Sequence, residues 1–210
     1  MEAQGITVDS KRAFDLVLGS VGLAVASPIL AGVAVATKLS GDHGPILHRA
    51  RRIGEGGRMI TVLKVRTMVV SPDGPRLTGP DDPRVTRLGR VLRRYRIDEL
   101  PQLINVVRGE MSLVGPRPED PAFVDMGDPL HRRVFMAKPG ITGLAQLQFH
   151  DEAALLLGAD PERRYRDEIL PAKLLLDAEY LDRRTTWLDL RILMRTVGAV
   201  VGRGSHRPAE

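Results

Sequence analysis

The feature that most constrains this chain is the run from Leu16 to Thr37, LVLGSVGLAVASPILAGVAVAT, 22 residues without one ionisable side chain. As a helix rising about 1.5 Å per residue, such a run covers the roughly 30 Å hydrocarbon core of a bilayer. A buried helix of a soluble domain is the plainer reading, but the run is long for one. A secretory leader fits less well, because its apolar part spans about 7–15 residues and no clear processing site follows here. The segment is expected to stay attached.

Pro28 follows Ser27 near the middle of the run. A proline there removes one intrahelical hydrogen bond and crowds the preceding turn, so a kink is expected. Lys11 and Arg12 precede the run, and Lys38, Arg49, Arg51 and Arg52 follow it. Basic flanks at both ends select no crossing direction. Two geometries stand open: a kinked helix that crosses once, favoured by composition because membrane helices tolerate proline, and a helix that enters one leaflet, bends at Ser27-Pro28 and returns.

The rest of the 210 residues suffices for one globular core. The absence of cysteine excludes disulfides, thiolate metal sites and a cysteine nucleophile. A formal charge of +5 suits an anionic partner, whether nucleic acid, phospholipid or a phosphorylated small molecule. Aromatics at 4% weaken a single-strand nucleic-acid reading, which needs rings for bases to stack on. His43, His48, His131, His150 and His206 lack ligand spacing, so no zinc site is expected.

Beyond Gly41 a Gly- and Arg-rich stretch leads into Ile60–Val65, whose apolar alternation predicts a strand. Ser71 to Pro83 gather Ser, Pro, Asp and Gly, which marks a surface loop. Val85, Leu88, Val91, Leu92 and Tyr95 then recur at helical spacing among six arginines, Arg84 to Arg96, with no acid between them. Unpaired like charge on a helix favours contact with lipid headgroups or substrate phosphates over a merely solvated face. Arg163–Leu181 and Trp187–Val201 read as further helices, and the polar residues from Gly202 onward as a frayed end.

Three stretches could carry chemistry. In Tyr95–Leu103, Asp98 and Glu99 stand just before a helix start with Pro101 in its first turn. Spacing alone favours simple helix capping there, with the dipole contributing about 0.3–1 kcal/mol. The same carboxylates could instead act as nucleophile or metal ligand, provided cations such as Arg93, Arg94 and Arg96 neutralise an anionic substrate. Met111–Glu119 reads as a strand ending in Gly-Pro-Arg-Pro-Glu, whose prolines hold Arg117 either as a phosphate ligand or as an incidental turn residue. Lys138–Gly143, Lys-Pro-Gly-Ile-Thr-Gly, is a weak anion-loop signal without a P-loop ending.

Together these stretches resemble the bacterial sugar transferase family, the small monotopic polyprenyl-phosphate phosphoglycosyl transferases. The resemblance runs through KRAFD at Lys11–Asp15, Ser27-Pro28, KVRTM at Lys64–Met68, the gap-free Asp82–Glu119 and KPGITGLAQL at Lys138–Leu147. It departs where an aromatic is usual around Lys64, and where Leu147-Gln148-Phe149-His150 replaces a common Val-Asn-Gly-Arg.

The resemblance implies an α+β, mainly helical fold: a re-entrant membrane helix over 1–40 kinked at Ser27-Pro28, a membrane-surface catalytic domain over 41–201 with a small sheet and amphipathic interfacial helices, and a polar tail over 202–210. It reverses the composition-based preference for a crossing helix. It implies transfer of a sugar 1-phosphate from a UDP-sugar to undecaprenyl phosphate on the cytoplasmic face of the bacterial inner membrane, with Mg2+ as cofactor. Asp98 would be the nucleophile, Glu99 would hold the metal, Lys64 and Arg93 would support catalysis, and Arg117, Arg66 and Lys138 would meet phosphates. Lys11, Arg12, Ser27 and Pro28 would belong to the membrane element. Membrane lipid and a second copy in a homodimer are compatible partners, nucleic acid is not, and the rival function is a non-catalytic basic adaptor on anionic lipid.

Overall fold

The computed structural model describes residues 8–40, 44–69, 74–79, 82–156 and 160–202. His43, His206, Ser71 and the tail from 203 lie outside the described residues. The fold is mainly helical, with a small amount of sheet and a long apolar N-terminal helix, as the resemblance implied.

Helix α1 spans Val8–Leu39 with Pro28 inside it. The Pro28 nitrogen would normally donate to the Ala24 carbonyl one turn back. That carbonyl accepts instead from the Ser27 hydroxyl at 2.8 Å, so the Ser-Pro pair satisfies its own helix. The helical run continues through the pair.

One face of α1 packs against the rest of the chain along nearly its whole length: Asp15, Gly19, Ala26, Val33 and Thr37 are buried at helical spacing. The opposite face leaves Leu16, Val17, Val21, Val25, Ile29, Val35 and Leu39 exposed. Gly19 allows the approach to the next layer, since a Cβ there would stand 3.0 Å from Val106 Cγ1.

Strands β1 (Leu47–Ile53) and β2 (Met59–Val65) form an antiparallel hairpin, paired from Leu47 with Val65 to Ile53 with Met59. After helices α2 (Arg87–Arg94) and α3 (Gln102–Arg108), strand β3 (Ser112–Val114) pairs in parallel with β4 (Gly140–Thr142). The small sheet is thus two separate two-stranded ladders. Between β3 and β4 lies α4 (Pro129–Phe135), capped by Asp128, whose carboxylate accepts from Leu130 N and His131 N.

Short helices α5 (Leu144–Gln148), α6 (Glu152–Leu155) and α7 (Pro161–Arg164) follow. A π-helical turn over Tyr165–Ile169 then leads into α8 (Leu170–Arg183), and α9 covers Thr186–Gly202. The wide turn sits just ahead of Pro171, which has no N–H with which to continue the normal ladder.

The main core joins Ala26, Val62, Leu103, Val106, Met111, Leu113, Val114, Tyr180 and Ile192, so α1, β2, α3, β3, α8 and α9 share it. A second cluster places Phe123, Val134, Phe135 and Tyr165 against the inner side of α8. Buried Asn105 ties α3 to the hairpin edge. Its Oδ1 accepts from Leu63 N at 3.1 Å and its Nδ2 donates to Thr61 O at 2.8 Å.

Lys11 and Arg12, expected at the membrane flank, direct their charges inward. Lys11 Nζ donates to buried Asp189 at 2.6 Å and pairs with Asp15 at 3.3 Å. Arg12 donates to the carbonyls of Val106 and Val107 at 2.6 and 2.7 Å, satisfying the open C-terminal end of α3.

Candidate active site

Helix α2 begins with Thr86, whose Oγ1 accepts from Gly89 N at 2.9 Å, and ends where the chain must turn sharply toward α3. Arg96 makes that turn at φ 52° and ψ 23°, and it is the one non-glycine with positive φ among the described residues. A left-handed L-residue costs roughly 1–2 kcal/mol, which the surrounding contacts must offset. The turn carries Ile97–Glu99 as a short 3-10 segment that delivers two adjacent carboxylates, both less than a tenth exposed, beneath the hairpin.

Neither carboxylate caps a helix: Pro101 is the N-cap of α3, and no side chain accepts from that first turn. Glu99 is instead surrounded by cations from three elements. Lys64 Nζ of β2 donates to Oε1 at 3.2 Å, Arg96 Nη1 to Oε2 at 3.3 Å, and Arg117 Nη2 lies 3.6 Å from Oε1. Burial alone would raise the Glu99 pKa, but Lys64, Arg117 and Arg96 outweigh it and hold the carboxyl at about 2. Glu99 is a permanent anion.

Asp98 has the opposite balance. Burial, then the Glu99 charge beside it, raise its pKa above the usual aspartate value, against the pull of Lys64 and Arg93. A carboxylate of raised pKa is more basic and more nucleophilic than an ordinary one. Arg93 is fixed nearby, donating from Nε to Thr67 Oγ1 at 2.8 Å. Burial lowers the pKa of the Lys64 ammonium despite its partner Glu99.

The structure therefore brings Lys64, Arg93, Arg96, Asp98, Glu99 and Arg117 together. Arg66 and Lys138 stand outside this cluster: Arg66 Nε donates to Pro45 O at 2.6 Å, and Lys138 lies 3.8 Å from Glu55. The glycines around Lys138 serve packing, since a Cβ on Gly140 would stand 2.1 Å from Gly115 N where β3 and β4 approach. Phe149, at the departure from the family pattern, packs on the second core cluster. The basic helix is also less unpaired than its sequence suggested, because Arg84 binds Asp82 at 2.6 Å and Arg96 binds Glu99.

A second buried polar group behind Arg117 went unread in the sequence. Tyr165 donates to Glu119 Oε2 at 2.5 Å and accepts from Lys173 Nζ at 2.7 Å, and Lys173 also donates to Glu152 at 2.8 Å. These residues lie 46 and 21 positions apart, with no motif linking them. Only Glu119, as the end of Gly-Pro-Arg-Pro-Glu, gave a local signal. Their charge reaches Arg117: burial would lower its pKa, and Glu99, Glu152 and Glu119 together raise it.

Among the described residues no group of three or more His, Cys, Asp or Glu is placed to hold a metal ion. Mg2+ commonly uses only one or two carboxylates, with substrate phosphates and water completing its shell. The adjacent Asp98 and Glu99 fit that sparse mode.

The chain thus combines a helix long and apolar enough to cross a membrane with a buried carboxylate pair ringed by Lys and Arg, a site suited to anionic ligands. A profile of the bacterial sugar transferase family matches residues 6–203, and the chain belongs to that family. It is 40% identical over 196 residues to a UDP-glucose:undecaprenyl-phosphate glucose-1-phosphate transferase of Caulobacter vibrioides, covering 91% of this chain and 69% of that one. It is 42% identical over 196 residues to an undecaprenyl-phosphate glucose phosphotransferase of Komagataeibacter xylinus, covering 89% of this chain but only 35% of that one. It is 33% identical over 215 residues to the exopolysaccharide production protein ExoY of Rhizobium meliloti, covering 94% of this chain and 88% of that one.

Proposed function

We propose that this chain transfers a sugar 1-phosphate from a UDP-sugar to undecaprenyl phosphate by way of a covalent aspartyl intermediate on Asp98. The observation that carries this reading is the division of labour in the acid pair: Glu99 is paired with three cations, while Asp98 is buried beside it and, among the described residues, makes no ion pair, so that burial and Glu99 raise its pKa against Lys64 and Arg93. Such an asymmetry separates a structural anion from a reactive carboxylate. The substrates named for the relatives supply the chemistry that such a site would handle.

In the first step an Asp98 oxygen attacks the β-phosphorus of the UDP-sugar. The bond to the bridging oxygen breaks, and UMP leaves with the electron pair. In the second step a phosphate oxygen of the lipid attacks the same phosphorus, and Asp98 departs as a free carboxylate, leaving a lipid diphosphate sugar. Lys64, Arg93, Arg96 and Arg117 neutralise the charge that would otherwise repel an anionic nucleophile from an anionic substrate. Glu99 keeps Lys64, Arg96 and Arg117 oriented, and would hold Mg2+ together with substrate phosphates. The ion, when bound, supplies further neutralisation of the diphosphate.

We place the catalytic domain on the cytoplasmic face of the bacterial inner membrane, with α1 re-entrant rather than crossing. The contact stripe from Asp15 to Thr37 supports this, because a helix crossing the bilayer away from its domain would leave its middle free of that domain. The exposed apolar face of α1 would then meet lipid.

The test combines mass and turnover. UMP release from a panel of UDP-sugars in detergent with Mg2+ is expected, with a phosphosugar-sized mass increase on the peptide carrying Asp98. In Asp98→Asn both should vanish, with transfer lowered at least about 10³-fold. Equal UMP release from both proteins, or an adduct on another residue, would overturn the mechanism.

A further inference from the structure

The geometry points to a second subsite: we propose that the groove between α1 and the β1–β2 hairpin seats the proximal isoprenoid units of the lipid acceptor. This rests on the transfer reading above and adds to it the place where the acceptor enters. The groove has a volume of about 840 Å³ and is walled by Leu30 and Ala34 of α1, Leu47 of β1, Val65 of β2, and Pro101 and Ile104 at α3. That volume lies within the ~300–1,000 Å³ typical of ligand pockets.

Three observations commit it to a prenyl phosphate. First, the walls are apolar while Arg66, Arg49 and His48 also line the groove, so an uncharged chain and an anionic head each find their complement. Second, the inner wall is the chain that flanks the site: Val65 and Arg66 follow Lys64, which binds Glu99, and Pro101 lies two residues beyond Glu99. Third, the groove adjoins the outward face of α1, where Ile29 and Val35 are 47% and 59% exposed, so its apolar surface is continuous with the face offered to lipid. Only the first few units would be enclosed, and the rest of the tail would remain in the bilayer.

The proposal separates the two half-reactions. Exchange of labelled UMP into UDP-sugar needs no acceptor, whereas transfer does. Ala34→Trp, which fills the groove, is expected to raise KM for undecaprenyl phosphate about tenfold while exchange stays within about twofold. Ala34→Leu, a milder filling, should give a smaller rise in the same direction and keeps the test valid if the indole prevents folding. A diazirine-bearing polyprenyl phosphate in phosphatidylglycerol vesicles should label residues 30–34, 45–49 or 65–66, read by peptide mass spectrometry.

An unchanged acceptor KM in folded Ala34→Trp, labelling elsewhere on the chain, or a lipid-independent dimer that occupies the groove would each overturn the subsite. Absence of UMP exchange in the unsubstituted protein would instead sink the covalent reading. The labelling experiment would still decide the groove.

Discussion

The two charge clusters on either side of Arg117 have opposite balances. In front, Lys64, Arg93, Arg96 and Arg117 face two carboxylates, Asp98 and Glu99, and positive charge is in surplus. Behind, Lys173 sits between Glu119 and Glu152 with the Tyr165 hydroxyl closing the group, and no positive surplus remains. A half-buried surplus of cations that still opens to solvent attracts an anion, so the front cluster suits an anionic ligand. The rear cluster satisfies itself and acts as a brace. Arg117 belongs to both, so a guanidinium paired with Glu99 in front is backed by the buried group behind it.

Substitutions that unbalance each cluster separate these roles. The largest effect is expected from Glu99→Gln, which removes the anion shared by Lys64, Arg96 and Arg117. Transfer should fall about 10²–10³-fold in steady-state assays, because the cations lose their orientation and are partly free to hold Asp98 in an unreactive pair. A smaller loss than in a rear-cluster variant would reverse the assignment of front and back.

Lys173→Met keeps the volume and removes the charge, leaving Glu119 and Glu152 without their cation. It should destabilise the fold by about 3–5 kcal/mol in denaturant titration. Below its melting temperature the variant should retain most of its turnover, and a folded but inactive variant would place Lys173 in the reaction.

Asp177, on α8 one turn after Lys173, tests the pH behaviour of the rear region. Burial raises its pKa to about 7, against opposing pulls from Lys173 and from the backbone N–H groups of Arg117 and Ala145. Between its ordinary value near 4 and about 7 the native state holds a proton that the unfolded chain has lost. Stability should therefore fall as pH rises through that window, by roughly 2–4 kcal/mol in all, and level off above it. Asp177→Asn should flatten this slope in melts taken across the window, and an unchanged slope would assign the titration to another group.

Arg12→Gln carries the smallest expected effect. Losing the charged donors to Val106 and Val107 should cost about 1.5–3 kcal/mol in thermal unfolding, with membrane partitioning little changed. A loss of membrane association without a loss of stability would return Arg12 to the lipid headgroups.

Much of this arrangement could be read along the chain. The alternation at Ile60–Val65 falls within β2, and the helical spacings around Arg163–Leu181 and Trp187–Val201 fall within α7 to α9, because short-range periodicity reports which face is buried. Spacing read the Asp98-Glu99 pair first as a helix start and left Arg117 between phosphate ligand and turn residue, because prolines stiffen both stretches whatever they do; only the resemblance to the family singled them out as chemistry. Arg66 and Lys138, which the resemblance placed at phosphates, stand outside the Glu99 cluster, Arg66 donating to Pro45 O and Lys138 lying near Glu55, contacts made across 21 and 83 residues of chain. The Tyr165–Lys173–Glu119 brace left no pattern at all, since its members converge only when the π turn and α8 pack behind the β3 loop.

By itself the sequence determined the uncharged run at Leu16–Thr37, the positions of β2, β3 and the long helices, and which carboxylates lie next to arginines, whereas β1 lay in a stretch read only as Gly- and Arg-rich and β4 in one read as an anion loop. Those properties depend on neighbours within a turn or two, where spacing and side-chain type dominate. Only the tertiary structure decided that Glu99, not Asp98, takes the three cations, and that Lys11 and Arg12 point into the protein rather than toward lipid. It also decided that α1 presents one apolar face outward while the other seals the core. Ionisation, charge pairing and burial are set by distances of a few ångströms between segments remote in the chain, and those distances exist only once the chain has packed.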